Sequence, residues 1–195
     1  MKKMKKNNKN DKNLKINLAK IPFGSLEAFN VLVEIPKGSN LKYEFDEVSG
    51  TMKVDFVFSA VGGSASGGDN LVFPFNYGFI PHTLGGDGDA LDAIVLSSAP
   101  IPSGSIVKCL AIGILETIDT GEVDNKLIVV PVDDILAKKY QDISDLPKDS
   151  LQKWTDLYME IARQKNKIKR KFIQVKGLKN KQAALEEIKN SFITP

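Results

Sequence analysis

Three aspartates fall within six residues at Asp87-Gly88-Asp89-Ala90-Leu91-Asp92, with Gly85 and Gly86 before them and the apolar run Ala93-Ile94-Val95-Leu96 after. Carboxylates this close repel one another unless a cation compensates. The intervening glycines let the backbone turn tightly enough for several oxygens to face one point. The segment therefore reads as an oxygen cage for hard cations. An EF-hand loop does not fit, because that pattern would put glycine where Asp92 stands and glutamate where Ser98 stands.

A second acidic loop carries Asp119 and Asp124 around Thr120-Gly121-Glu122-Val123, followed by Asn125 and Lys126. If both loops lie at one end of the fold, five aspartates can hold more than one divalent cation. Oxygen donors, with one histidine (His82) and one cysteine (Cys109) in the whole chain, select magnesium or manganese over zinc. Magnesium is commonly held by a few carboxylates together with substrate phosphates, so nearby lysines imply a phosphate substrate. Lys42 and Lys126 are the candidates to hold it. No Ser/His or Cys/His arrangement offers a covalent nucleophile, and His82 reads as structural. Direct attack by a metal-bound water is the chemistry that remains.

The totals narrow the class. The chain has 195 residues, 42% hydrophobic and 26% charged, the make-up of a soluble globule with one core. Its net charge of +3 conceals an asymmetry: the first twenty residues hold eight lysines against one aspartate, so the rest of the chain is acidic. An acidic body recruits cations and argues against a nucleic-acid surface. No apolar run approaches the roughly 20 residues that span a membrane. Residues 1–17 are a Lys/Asn tract too poor in apolar groups to fold, so a flexible tail is expected there, with one domain over 18–195. The polar stretch after the first lysines lacks the apolar core of a leader, and the single cysteine suits a reducing compartment, so a cytoplasmic location is expected.

The elements that position these residues follow from periodicity. Phe29–Ile35, Leu41–Phe45, Thr51–Phe58, Ile106–Leu115 and Lys126–Pro131 read as strands, the second and third as a hairpin around Glu47-Val48-Ser49-Gly50. Alternation in the hairpin puts Lys42 and Glu44 on one face. Residues 61–70, rich in Gly, Ser and Ala, read as a loop. Leu151, Trp154, Leu157, Tyr158 and Ile161 fall at helical spacing, as do Ala184, Leu185, Ile188 and Phe192. The fold expected is α+β: a small, closed, five- to six-stranded OB-like barrel with C-terminal helices packed outside it.

Asp87-Gly88-Asp89-Ala90-Leu91-Asp92 resembles the signature of soluble family I inorganic pyrophosphatases, commonly D-G-D-P-L-D, with Ala90 in place of the proline. The resemblance extends through Val33-Glu34-Ile35-Pro36, Lys42-Tyr43-Glu44, Asn76-Tyr77-Gly78-Phe79-Ile80-Pro81 and Asp119 to Asp124-Asn125-Lys126, ending near Gly177. It implies magnesium-dependent hydrolysis of pyrophosphate to two phosphates, in a homo-oligomer that is a hexamer in bacterial members. It implies that Asp87, Asp92 and Asp124 bind the activating metals, and that Asp119, Glu44 and Glu34 lie near those arriving with substrate. Asp89 resembles the base acting on the attacking water, and Lys42, Lys126 and Tyr77 resemble residues that hold phosphate.

Three positions depart from the pattern. The family's Val-Asp-Arg appears as Val54-Asp55-Phe56, its Tyr-Pro-x-Asn-Tyr starts at Phe73, and counting back from Lys171-Phe172 puts Gln164-Lys165 at a phosphate-binding Tyr-Lys pair. Lys165 alone of that last pair keeps its type. The losses fall on the phosphate clamp and spare the metal carboxylates, which implies a weakened or altered enzyme. The competing class is a non-catalytic barrel that binds nucleotide or nucleic acid, supported by the lysine tail and the lost clamp residues. Against it, the barrel shows no ribbon of exposed aromatics between basic residues, and a non-catalytic descendant need not keep all five aspartates.

Overall fold

A computed structural model describes residues 15–58, 71–165 and 172–193, without the side chain of Lys165. The expected tail up to residue 14 and the 61–70 loop lie outside the described residues. In chain order the elements are β1 (Phe29–Ile35), β2 (Leu41–Asp46), β3 (Thr51–Val57), β4 (Asn76–Phe79), β5 (Asp92–Val95), β6 (Ile106–Asp119), β7 (Glu122–Val123), β8 (Lys126–Pro131), α1 (Leu136–Lys139), α2 (Ser150–Lys165), β9 (Ile173–Asn180) and α3 (Lys181–Ser191). Short 3-10 turns at Leu18–Lys20 and Ile143–Asp145 complete the chain.

Seven strands form one mixed sheet in the order β1-β4-β5-β8-β6-β7, with β9 on β6, and β1 also pairs β6. The pairings thus lead from β1 around to β6 and back to β1. β6 can serve four partners because it is 14 residues long and bulges between Ala111 and Gly113. The strands β1, β5 and β8 are apolar and almost wholly buried, as expected of strands covered on both faces. β4 approaches β1 so closely that a Cβ on Gly78 would lie 2.0 Å from the Leu32 carbonyl oxygen, which is why that position has no side chain.

The hairpin departs from expectation. β2 and β3 were counted among the barrel strands, but they form a two-stranded sheet of their own. The reason lies in their exposure: no β2 residue is fully buried and several β3 residues are exposed, so the hairpin lacks the two-sided apolar surface of β1 or β8. It meets the main sheet through Phe45, whose ring lies 6.2 Å from that of Phe79.

Two apolar clusters hold the sheet. Trp154, Leu157, Tyr158 and Ile161 of the predicted α2 stripe pack on Ile94, Ile112, Leu115 and Ile128, whereas Leu151, in the first turn, stays exposed. Ala184 and Ile188 of α3 pack on Ala93, Val95, Leu127 and Val129. Burying each large apolar side chain contributes about 1.5–3 kcal/mol, which far exceeds what helix propensity supplies to these short helices. Asn180 caps α3 by accepting from the Ala183 N–H at 3.1 Å. Among the described residues no helix is long and apolar enough to cross a membrane.

Candidate active site

β5 and β8 run parallel, with Asp92 in register with Lys126. Parallel neighbours start at the same end, so the loop before β5 and the loop before β8 come together. Both acidic loops therefore meet, as the spacing argument required. Facing them is the hairpin, and between lies a cleft of about 720 Å³ lined, among the described residues, by ten carboxylates and two lysines.

Each carboxylate is aimed by a local device. The first loop closes on itself through Gly85 N to Asp89 O at 2.6 Å, and Gly88 sits at φ +88°, where a side chain would be strained. The Asp89 N–H donates to Asp87 Oδ1 at 3.1 Å. Asp119 ends β6 and accepts from the Thr120 hydroxyl at 2.7 Å. Asp124 is fixed by its backbone, which donates to Thr117 O at 3.0 Å. Glu34 is the extra residue of a bulge in β1, between Val33 paired with Gly78 and Ile35 paired with Tyr77. The bulge turns its carboxylate toward the hairpin, where it accepts from the Phe45 N–H at 2.8 Å.

The lysines are held by the acids. Lys126, only 4% exposed, donates to both Asp92 and Asp124, and Asp92 also accepts from the Tyr77 hydroxyl. Burial works against the Lys126 charge, but Asp92 and Asp124 outweigh it and hold the ammonium above the ordinary lysine range. Lys42 behaves likewise: burial opposes its charge, and Glu44, together with Asp55 at 3.2 Å, more than restores it. The acids show the opposite stress. Burial raises Glu34 to about 7, with Asp92 and Glu44 adding repulsion and Phe45 and Lys42 opposing. Burial raises Asp124 to about 6 against the pull of Lys126. Burial leads both shifts, and the carboxylates of the described lining outnumber its two lysines.

That excess tests the site for cations. The donors are hard oxygens, and neither histidine nor cysteine is among the lining residues. His82 bonds to Ile21 O at 2.8 Å and Cys109 is buried. Among the described residues no three ligating groups converge at metal-binding spacing, since Asp92 and Asp124 are drawn to Lys126. The donor chemistry fits a hard divalent cation.

Asp87, Asp89, Asp92, Asp119, Asp124, Glu34, Glu44, Lys42, Tyr77 and Lys126 all line the cleft. Lys165 ends α2, and its side chain lies outside the described residues. Gln164 is not among the lining residues; it is buried and donates to Glu160 at 2.8 Å. Of α2, Tyr158 and Ile161 line the cleft, and the polar one is Tyr158, nearly two turns before Lys165. Its hydroxyl is buried beside Tyr77 and Lys126 without a well-formed hydrogen bond. Its helical spacing with Trp154 and Ile161 marks it only as core. Asp55, Glu47 and Glu122 also line the cleft without having been singled out. Asp55 enters through a second bulge, opposite the step from Lys42 to Tyr43. Phe56 and Phe73 belong to an aromatic wall in which Phe56–Phe58 ring centroids are 4.9 Å apart, Phe58–Phe73 5.6 Å and Phe73–Tyr77 5.9 Å.

The model of the family described as inorganic pyrophosphatase matches residues 31–194. The inorganic pyrophosphatase of Helicobacter pylori (strain ATCC 700392 / 26695) is 38% identical over 166 residues, covering 83% of this chain and 87% of that protein. Soluble inorganic pyrophosphatase 1 of Arabidopsis thaliana is 39% identical over 144 residues, 74% of this chain. The chain spans 60–64% of the length of this and other plant relatives. The crystal structure of inorganic pyrophosphatase from Thermus thermophilus superposes with a TM-score of 0.79 at 34% identity, covering 90% of this chain and 96% of that one. A match that runs through the hairpin, both acidic loops and α3, at these identities, makes this chain a member of the inorganic pyrophosphatase family.

Proposed function

We propose that the chain hydrolyses inorganic pyrophosphate to two phosphates with magnesium, or manganese in its place. The observation that carries the reading is the convergence of both acidic loops and the hairpin on one cleft with ten carboxylates and two lysines among its described residues. Asp87, Asp92 and Asp124 hold the activating cations, and Asp119, Glu44 and Glu34 hold those that accompany substrate. Divalent cations bound there neutralise phosphoryl oxygens and acidify a coordinated water. Asp89 lies exposed on the loop and takes the proton of the attacking water. An ammonium has three donors, and Lys126 gives two of them to Asp92 and Asp124, leaving one for a phosphoryl oxygen. Lys42, Tyr77 and Lys165 complete the phosphate contacts.

The circuit of pairings through β1 and β6 supports a closed barrel, and the shared apolar core supports one domain over 18–195 beyond the tail of 1–17. A cytoplasmic homo-oligomer, a hexamer foremost, is the form family membership favours.

Phe56 stands where the family's arginine is expected. A hydrogen bond to a charged group contributes about 1.5–3 kcal/mol, so its loss lowers transition-state binding about ten- to a hundredfold. The test is phosphate release from pyrophosphate, with and without magnesium, by wild type and Phe56→Arg. Magnesium-dependent release that rises in Phe56→Arg is expected. Absence of release from wild type with either cation overturns the hydrolase assignment, and no gain in the variant overturns the clamp argument.

A further inference from the structure

The cleft has two unlike sides. The loops contribute acids and no ring, whereas the hairpin side sets the rings of Phe56, Phe58 and Phe73 beside Lys42, Glu44, Glu47 and Asp55. Phe58 and Phe73 are 1% and 3% exposed, already packed, while Phe56 is only partly buried and offers its ring to whatever enters. Phe56 is also the cross-strand partner of Lys42. Cross-strand partners have Cβ atoms about 4.5–5.5 Å apart, so a phosphate held by Lys42 lies beside the Phe56 ring.

That placement suits inorganic pyrophosphate poorly. Both its ends are anionic oxygens, and an aromatic face is the negative side of the ring quadrupole. Setting an unpaired anionic oxygen against such a surface removes water without supplying a donor. The described cations lining the cleft are Lys42 and Lys126, each already shared between two carboxylates. Replacing one terminal oxygen by an ester removes a charge and gives the ring a matching surface.

We propose that Phe56, backed by Phe58 and Phe73, is a subsite for an apolar or aromatic group esterified to one phosphate. The cleft then accepts small diphosphate monoesters, with Phe56 setting the preference between these and pyrophosphate. This rests on the hydrolase reading above. The reaction is the same displacement: the water oxygen bonds to the terminal phosphorus as the bridging P–O bond breaks. The bridging oxygen leaves on the monoester phosphate, and the proton of the water passes to Asp89 and then to solvent.

The experiment compares phenyl diphosphate with pyrophosphate, using the full chain with magnesium and following phosphate and phenyl phosphate. Wild type releases both products from phenyl diphosphate. The ratio of kcat/KM for phenyl diphosphate to that for pyrophosphate falls at least tenfold in Phe56→Arg and is largely kept in Phe56→Leu. Phe56→Gln, which needs no more room than the ring, repeats the comparison where Phe56→Arg does not fold. Cleavage of pyrophosphate alone, or an unchanged ratio in folded Phe56→Arg or Phe56→Gln, overturns this proposal and leaves the hydrolase reading intact. Cleavage of neither substrate overturns both.

Discussion

Replacing Lys126 by methionine removes the ammonium that Asp92 and Asp124 share and leaves a side chain of similar length in a site only 4% exposed. Two carboxylates then face each other without their cation. Breaking a buried pair by removing one partner costs about 3–5 kcal/mol. For a chain of this size 1 kcal/mol is worth roughly 2–4 °C, so Tm falls by about 6–20 °C. The loss depends on pH. Lys126 is what pulls Asp124 down against burial, so in the variant Asp124 rises further above its wild-type value of about 6. A carboxyl whose folded pKa exceeds the unfolded one binds more protons when folded, and its stability contribution is lost as pH rises through that interval. In the variant the interval extends to higher pH, so the gap to wild type is narrow at pH 5 and full at pH 8. Magnesium supplies the missing charge and raises Tm more in the variant than in wild type. The assay is thermal unfolding by circular dichroism from pH 5 to 8 in chelator, repeated with magnesium. A gap of the same size at both pH values, or a Tm equal to wild type, refutes the reasoning.

Asp89→Asn keeps the loop but removes the proposed base, so kcat for phosphate release falls about 10²- to 10⁴-fold while the unfolding midpoint stays at that of wild type, because Asp89 is exposed. Retained kcat removes Asp89 from the chemistry. Glu34 has a folded pKa of about 7 against 4.5 for the free group, so wild-type stability without cations declines as pH rises from 4.5 to 7. In Glu34→Gln that decline is shallower in urea unfolding, and parallel curves count against burial as its cause. Gly78→Ala puts a Cβ 2.0 Å from Leu32 O and 2.8 Å from the Val33 Cα, both backbone atoms that cannot rotate away. β1 and β4 must part, and a loss of about 1–3 kcal/mol or more is expected in denaturant unfolding. An unchanged midpoint shows that the sheet yields more easily than its packing implies.

The acids were readable because carboxylates interrupted by glycine have few uses other than caging cations, and the register of Asp92 with Lys126 gathers them. The bounds of β1 and β8 also followed from composition, since strands buried on both faces are continuous apolar runs. What stayed hidden depends on partners far along the chain. Nothing local marks Glu34 or Asp55 as bulge residues, because a bulge exists only relative to the strand opposite. Tyr158 shares the spacing of Trp154 and Ile161, and only the packing of α2 over the cleft separates its hydroxyl from a core contact. The hairpin's separation from the main sheet was equally invisible, because alternation fixes which side chains share a face but not which sheet a strand joins.

The parallel pairing of β5 with β8 also sets an order of assembly. Asp92 and its counter-ion Lys126 are 34 residues apart in the chain. At about 5–20 residues per second, a ribosome delivers the lysine roughly 2–7 s after the aspartate. During that interval Asp92 lacks the ammonium that offsets its burial, so it must stay hydrated. Docking of β8 is therefore the event that permits Asp92 to leave water. A nascent chain stalled between the two loops would hold an open, aggregation-exposed sheet with its most acidic segment in solvent.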